Sequence, residues 1–367
     1  MTIYIGMDVH SKMSVYVAQN EQGKTIAQGE VATNPAGFDH LLKVVAAPQG
    51  TQIALESGTQ ATWLSRLLEE RGMKPVVVNA REVRAKARNK RQKNDRRDAF
   101  EICDGLRRGL WVSIVWIPPL AIDELRAILS RRRHFVGLAT RQTNAVKFLL
   151  RRNGLGHLYR SLKSDIAWHK LSSQAELNLM SNHINLHHHL WHEAQAAIAQ
   201  LDQEMQQAAR PLQPTLDLLQ TMPGVGPVVA ATFLATLGTP HRFARASQVI
   251  GYTGLAVSTY DTGQTERHGH ITKTGSPQLR AMLCEAAHHA GRPTHPLHPY
   301  FARLTARRGI KAAVVAVSQR MARILWQMWR EEKPFDLGRL NVQPVRKMKS
   351  RTIHWEIRPE GAATAAA

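Results

Sequence analysis

Ile3-Tyr4-Ile5-Gly6-Met7-Asp8-Val9 alternates its side chains with the period of a β-strand, and its β-branched and aromatic residues favour that conformation. Asp8 is out of keeping with the rest. A carboxylate in the middle of an apolar strand costs several kcal/mol unless it is paired or holds a cation. Working outward, residues 14–18 read as a second strand after the polar turn His10-Ser11-Lys12, and residues 25–32 as a third. Asn34-Pro35 opens a helix over residues 37–45, with proline in the first turn, where a missing N–H costs little. Residues 52–56 form a fourth, apolar strand, 59–71 an amphipathic helix ending at Gly72, and 74–79 a fifth strand.

The order βββαβαβα, with three antiparallel strands first, is that of a ribonuclease-H-like sheet. In such a sheet the first and fourth strands are neighbours, so Asp8 and Glu56 are expected to project close together. The last helix of the unit carries Asp95 and Asp98, whose i, i+3 spacing puts both on one face. Four acids would then meet at one site able to hold two divalent cations for phosphodiester chemistry. Magnesium or manganese is the expected metal, because every ligand in that set is a hard oxygen. Taken alone, Asn94 to Asp98 could equally be a solvated helix with local Asp–Arg pairs, and Glu56 could simply open the loop Ser57-Gly58. The run Arg84, Lys86, Arg88, Lys90, Arg91, Lys93, Arg96 and Arg97 beside these acids suits a grip on the nucleic-acid backbone, which positions without reading sequence. A solvated helix face is the plain alternative.

Composition agrees with a polyanionic partner. The formal charge is +21, from 49 Lys and Arg against 28 Asp and Glu, and each neutralised phosphate releases condensed counterions. The 2 cysteines, Cys103 and Cys284, are far apart and outside any CxxC pattern, which argues against a disulfide framework or zinc ribbon. The opening residues read as a strand rather than a secretory leader, and the apolar runs are too short to span a bilayer, so a bacterial cytoplasmic, nucleoid-associated protein without membrane contact is expected.

Tyr4-Ile5-Gly6-Met7-Asp8-Val9-His10, Glu56-Ser57-Gly58-Thr59 and Asn94-Asp95-Arg96-Arg97-Asp98-Ala99 together resemble the DEDD motif of a RuvC-like transposase domain. The resemblance is to the insertion-sequence family often called IS-one-ten, especially its IS-eleven-eleven branch. In that family a RuvC-like domain comes first and a second, serine-bearing transposase domain follows.

Pro118-Pro119 marks a boundary. Beyond it Leu125, Leu129, Phe135, Ala139, Val146 and Leu149 recur at spacings of three, four and their sums, and later Leu177, Met180, Ile184, His187, Trp191, Ala194, Ile198, Leu201 and Met205 alternate steps of three and four. That pattern predicts two long helices in a coiled-coil-like arm, serving either to join protomers or to pack within one chain. His183, His187, His188, His189 and His192 include i, i+4 pairs. No acid or cysteine stands with them at ligand spacing, so a surface or RNA-facing role is the better reading.

Leu218 to Ala230 resembles a helix-hairpin-helix whose Gly224-Val225-Gly226 turn could offer backbone N–H groups to a phosphate; an ordinary glycine-rich turn between core helices would look the same. The motifs Gly251-Tyr252-Thr253-Gly254-Leu255, Tyr260 to Thr265, Gly269 to Gly275 and Leu279-Arg280 are similar in order to the second transposase domain of the same family. The family's nucleophile is a serine directly before a glycine, and here Thr262 precedes Gly263. Threonine keeps the hydroxyl but crowds an in-line attack. Thr262, Ser258 in a shifted loop, or an impaired copy are the readings left open. Arg267, Lys273 and Arg280 could steady charge on the scissile phosphate, or serve only solubility.

The expected architecture is thus α/β plus α. A RuvC-like domain (residues 1–115) is followed by a coiled-coil helical arm (116–215), a mostly helical transposase domain (216–340) and a basic, alanine-rich tail (341–367). The resemblance implies a transposase acting on donor and target DNA, guided by a structured RNA of the element. It also implies a homo-oligomer, a dimer or tetramer, in which a hydroxyl forms a covalent DNA intermediate. A metal-dependent hydrolytic endonuclease of the Holliday-junction-resolvase type, or an inactive nucleic-acid-binding scaffold, would share the acids and the charge.

Overall fold

The computed structural model describes residues 2–87, 94–158, 161–177, 180–262 and 265–341. The centre of the basic run, with Arg88, Lys90, Arg91 and Lys93, lies outside the described residues, as does the tail from 342. The side chains of Lys86, Thr262 and Arg267 lie outside them too. The chain divides into two compact units, Met1–Leu120 and Ala121–Ala367, with the break just after Pro118-Pro119.

The first unit is a mixed five-stranded sheet. Strands β1 (Ile3–Val9), β2 (Met13–Asn20) and β3 (Thr25–Ala32) form an antiparallel meander. Helix α1 (Pro35–Val45) then leads to β4 (Gln52–Glu56), which pairs parallel with β1, and helix α2 (Ala61–Glu70) leads to β5 (Lys74–Val78), parallel with β4. The resulting strand order is β3-β2-β1-β4-β5. Helices α3 (Ala80–Ala87) and α4 (Asp95–Arg107) complete the unit. The cap of α1 is the one its sequence suggests: Asn34 Oδ1 accepts from the Gly37 N–H at 2.9 Å, with Pro35 in the first turn.

The alternation in β1 decides what each face of the sheet meets. Ile3, Ile5 and Met7 enter a core with Phe38, Leu41, Leu64 and Leu68 of α1 and α2. On the opposite face, Val15, Val17 and Ala54 meet Ala99, Ile102, Cys103 and Leu106 of α4, in two adjoining apolar clusters. Helix α4 lies very close to β1 because residue 6 is glycine: a Cβ there would fall 2.2 Å from the Cys103 nitrogen and 2.4 Å from the Ala99 oxygen. Near the C-terminus of α4, Gly105 plays a similar part for the Trp111 ring, whose Nε1 donates to the Ile102 carbonyl at 3.0 Å.

The second unit is mostly helical. Helix α5 (Leu120–Arg152), the short α6 (Asp165–Ser172) and α7 (Met180–Ala209) share one core, in which Ala139, Val146 and Leu150 meet Trp168, Leu171, Ile184, Trp191 and Ala194. Within one chain, then, the seam of α7 is buried against α5 and α6, and Arg132 pairs with Asp202 across the two long helices at 2.5 Å. Ser164 caps α6, and Trp168 is fully buried and stacked on His188 at 5.2 Å. His188 also lies 3.0 Å from Asp165, and His187 hydrogen-bonds Gln142 at 2.8 Å, so these two histidines brace the arm.

Helices α8 (Gln213–Gln220) and α9 (Pro227–Leu237) flank the glycine turn, followed by α10 (Ala246–Thr253). Next comes a hairpin of β6 (Val257–Thr262) and β7 (Thr265–Ile271), a local sheet inside a domain expected to be mostly helical. Helix α11 (Pro277–His288) and the long α12 (His298–Glu331) follow, α12 being broken at Gly309, where φ is 78° and ψ 166°. Helix α9 is buried on nearly every side, as its apolar sequence Val228 to Ala235 requires. Among the described residues, no helix is long and apolar enough to cross a membrane.

Candidate functional site

Asp8 is the last side chain of β1 on the face that α4 covers. Met7 pairs with Leu55 in the parallel register of β1 and β4, so Asp8 and Glu56 follow side by side and project from the same face. Helix α4 brings the third acid. Its sheet-facing stripe, Ala99, Ile102, Cys103 and Leu106, extends one turn toward its N-terminus as Asp95 and Asp98, beyond the apolar contact. Asn94 caps that end through its side chain, accepting from the Arg96 N–H at 3.0 Å. Acids in the first turn are also favoured by the helix dipole.

The carboxylates of Asp8 and Asp95, with the imidazole of His10, present ligand atoms that all lie within 4.8 Å of one another. His10 Nε2 lies 3.3 Å from Asp8 Oδ2 and 3.4 Å from Asp95 Oδ2. Among the described residues this is the only group of three or more acidic, histidine or cysteine side chains so arranged. Two carboxylates and an imidazole, partly open to solvent, suit a divalent cation. Glu56 and Asp98 stand outside the 4.8 Å group, and Glu56 Oε1 lies 3.9 Å from Arg84 Nη2. Arg84 and Arg96 are exposed beside the acids, while Arg97 is half-exposed and reaches Glu101 at 3.8 Å.

His10 was not among the ligands expected from sequence. It stands just past the end of β1, inside what reads as a polar turn. Yet it is two residues from Asp8, the spacing that returns a side chain to the same side of an extended chain. The turn is held by the His10 N–H donating to the Met13 carbonyl at 3.2 Å, and by the Thr33 N–H donating to the Lys12 carbonyl at 2.8 Å.

In the second unit the β6–β7 hairpin is anchored at its root. Gly254, at φ 70°, and Gly275 approach so closely that a Cβ on Gly275 would fall 1.9 Å from the Tyr252 oxygen. Arg280 Nη1 donates to the Thr253 carbonyl at 3.2 Å, and the Lys273 N–H donates to the Gly254 carbonyl at 3.0 Å. Arg280 therefore braces the hairpin, whereas the Lys273 side chain is exposed. The Ser258 hydroxyl donates to the His270 carbonyl across the hairpin at 2.8 Å. Thr262 closes the hairpin in register with Thr265, and the backbone of Arg267 lies in β7 opposite Tyr260.

The glycine turn between α8 and α9 is packed on one side and open on the other. Gly224, at φ 85°, faces the Ala286 carbonyl and His295, while nothing lies near a Cβ on Gly226. The buried His295 ties this turn down: Nε2 meets the Pro223 carbonyl at 3.0 Å, and Nδ1 accepts from the Leu297 N–H at 3.0 Å.

Residues 5–153 match the DEDD-type IS110 transposase family, and residues 216–302 match the family described as Transposase IS116/IS110/IS902. The chain is 23% identical to the transposase for insertion sequence element IS1111A of Coxiella burnetii, over 91% of each chain. It is 26% identical to a transposase of Sinorhizobium fredii, over 77% of this chain and 70% of that one. A pilin gene-inverting protein of Moraxella bovis is 25% identical over 38% of this chain and 45% of its own.

Proposed function

The chain belongs to the IS116/IS110/IS902 family of insertion-sequence transposases, and on that footing we propose that Asp8, Glu56, Asp95 and Asp98 form its divalent-metal site and that Thr262 supplies the attacking hydroxyl. One observation carries the proposal: Asp8 and Asp95, from a strand and a helix at opposite ends of the first unit's sequence, come within 4.8 Å of each other. The strand order β3-β2-β1-β4-β5, with helix α4 packed over β1 and its neighbours β2 and β4, supports a ribonuclease-H-like, RuvC-like reading of the unit.

Magnesium or manganese held by these acids would polarise a phosphodiester and stabilise its leaving oxygen. The remaining steps fall to the chain's own groups. Arg84, Arg96 and Arg97, with the basic residues 86–93, hold DNA by its phosphates and set its register against the acids. The Gly226 side of the hairpin turn and the exposed Lys273 add backbone and charge contacts in the second unit. Thr262 Oγ1 attacks phosphorus, losing its proton to water, as the P–O bond to the departing strand end breaks; the DNA stays joined to the protein by a phosphothreonine ester until the hydroxyl of the exchanged strand attacks that phosphorus and the threonine oxygen leaves. Ser258 is the weaker candidate, because its hydroxyl is already engaged by the His270 carbonyl.

A relative named for inverting a pilin gene favours cleavage with rejoining over simple hydrolysis, since inversion requires both. A structured RNA of the element as guide, and a dimer or tetramer that pairs the acids of one protomer with the hydroxyl of another, complete the reading. The test is recombination between donor and target plasmids, with the copurifying RNA sequenced in parallel. Wild-type protein is expected to give joined products and an SDS-stable DNA adduct. Asp8→Asn and Asp95→Asn are expected to give neither while keeping salt-sensitive DNA binding. Equal activity of wild type and both variants would sink the proposal.

A further inference from the structure

We infer that His10 is a nitrogen ligand of the metal site and tunes it toward manganese and the later first-row dications, at the expense of magnesium. The inference rests on the reading of Asp8 and Asp95 as metal ligands and deepens it.

Three observations point the same way. The first is geometric. Neighbouring donors around an ion held at about 2.1 Å stand about 3 Å apart. His10 Nε2 sits 3.3 Å from Asp8 Oδ2 and 3.4 Å from Asp95 Oδ2, close to such an edge on both sides. The second is anchoring. Asp8 is set by the β1 register, Asp95 by the capped start of α4, and His10 by a turn fixed through its own N–H to Met13 and through Lys12 to Thr33. Each donor is thus placed by hydrogen bonds of its own strand, turn or helix cap, none of which is made by the other two side chains.

The third is chemical. Magnesium prefers an all-oxygen shell and keeps its waters, whereas imidazole suits later first-row metals and manganese accepts carboxylate readily. An all-carboxylate site would favour neither ion through ligand type. Replacing one oxygen donor by the His10 nitrogen shifts the balance toward a transition metal.

The experiment uses the full-length protein with Mn2+ as probe and Mg2+ as competitor. Mn2+ affinity is read by room-temperature electron paramagnetic resonance, and imidazole coordination by pulsed resonance on 15N-histidine-labelled protein. Wild type is expected to show a directly coordinated histidine nitrogen. In His10→Gln that signal should vanish, with Mn2+ binding weakened about tenfold or more and Mg2+ binding changed less than about threefold. Absence of the nitrogen signal in wild type overturns the inference, as does its persistence in His10→Gln, which would assign it to another of the 18 histidines. Asp8→Asn separates the two levels. If it fails to weaken Mn2+ binding, the metal-site reading falls and this inference with it. If it abolishes binding while His10→Gln leaves it unchanged, only the role of His10 is lost.

Discussion

Gly6 of β1 and Cys103 of α4 are in backbone contact, so close that a single added methyl on Gly6 would fall 2.2 Å from the Cys103 nitrogen. The obstacle is backbone on both sides, so no rotamer change relieves it. Gly6→Ala is expected to push α4 off the sheet, destabilising the unit by at least the ~1–3 kcal/mol of ordinary overpacking and drawing Asp95 away from Asp8. Thermal unfolding and Mn2+ titration together read both effects. Gly251→Ala, in α10 with open space around it, serves as the control and should be neutral or slightly stabilising. An unchanged melting temperature for Gly6→Ala would contradict the backbone contact between β1 and α4.

Thr262 and Ser258 separate by substitution. Thr262→Ala should abolish the covalent DNA adduct, and Thr262→Ser should retain or raise it, because the hydroxyl stays and the crowding methyl goes. Ser258→Ala removes one hydrogen bond to His270, worth about 1 kcal/mol, and should leave adduct formation intact. The reverse pattern would make Ser258 the nucleophile.

His295 makes the second unit sensitive to acid. Burial, reinforced by the nearby His289, Arg292 and His298, holds its imidazole below the ordinary histidine range, against the opposing pull of the Pro223 carbonyl. The neutral ring donates to Pro223 and accepts from the Leu297 N–H, an acceptor that protonation destroys. An unfolded chain takes up this proton near pH 6.5 and the folded one only lower. The stabilisation is therefore complete above about pH 6.5 and lost as pH falls through the folded value. Urea midpoints measured from pH 7.5 down to 5 should drop, and His295→Gln, which can keep both hydrogen bonds, should flatten part of that slope.

Cys103 should be chemically silent. Burial, only partly offset by hydrogen bonds, pushes its thiol up to about 12, and its Sγ donates to the Tyr4 carbonyl at 3.2 Å. At pH 8 only about one molecule in ten thousand carries the thiolate. Iodoacetamide followed by peptide mass spectrometry should find any native-state modification at the partly exposed Cys284. Rapid labelling of Cys103 would contradict the packing of α4.

The strands of the first unit, and the sheet face on which Asp8 stands, were legible because burial there follows a simple period. Ile3, Ile5 and Met7 answer to one helix layer, and Gly6 with Asp8 to the other. The approach of His10 to Asp8 and Asp95 was not legible, since His10 belongs to a turn whose direction is settled by Met13 and Thr33, residues that carry no pattern of their own. Helix α6 was hidden for a related reason: only Trp168 and Leu171 of its eight residues are buried, too few to establish a period. The β6–β7 hairpin escaped notice because contacts made elsewhere, between Gly254 and Gly275, hold its ends together.

The two-sided strand has a genetic corollary. Gain or loss of one codon within Ile3–Met7 would turn the aspartate toward Phe38 and put an aliphatic or thioether side chain where its carboxylate now stands. Such an in-frame lesion leaves length and composition nearly untouched, yet it would strand the insertion sequence where it lies. Copies decaying in a genome could fall silent this way while still reading as intact genes.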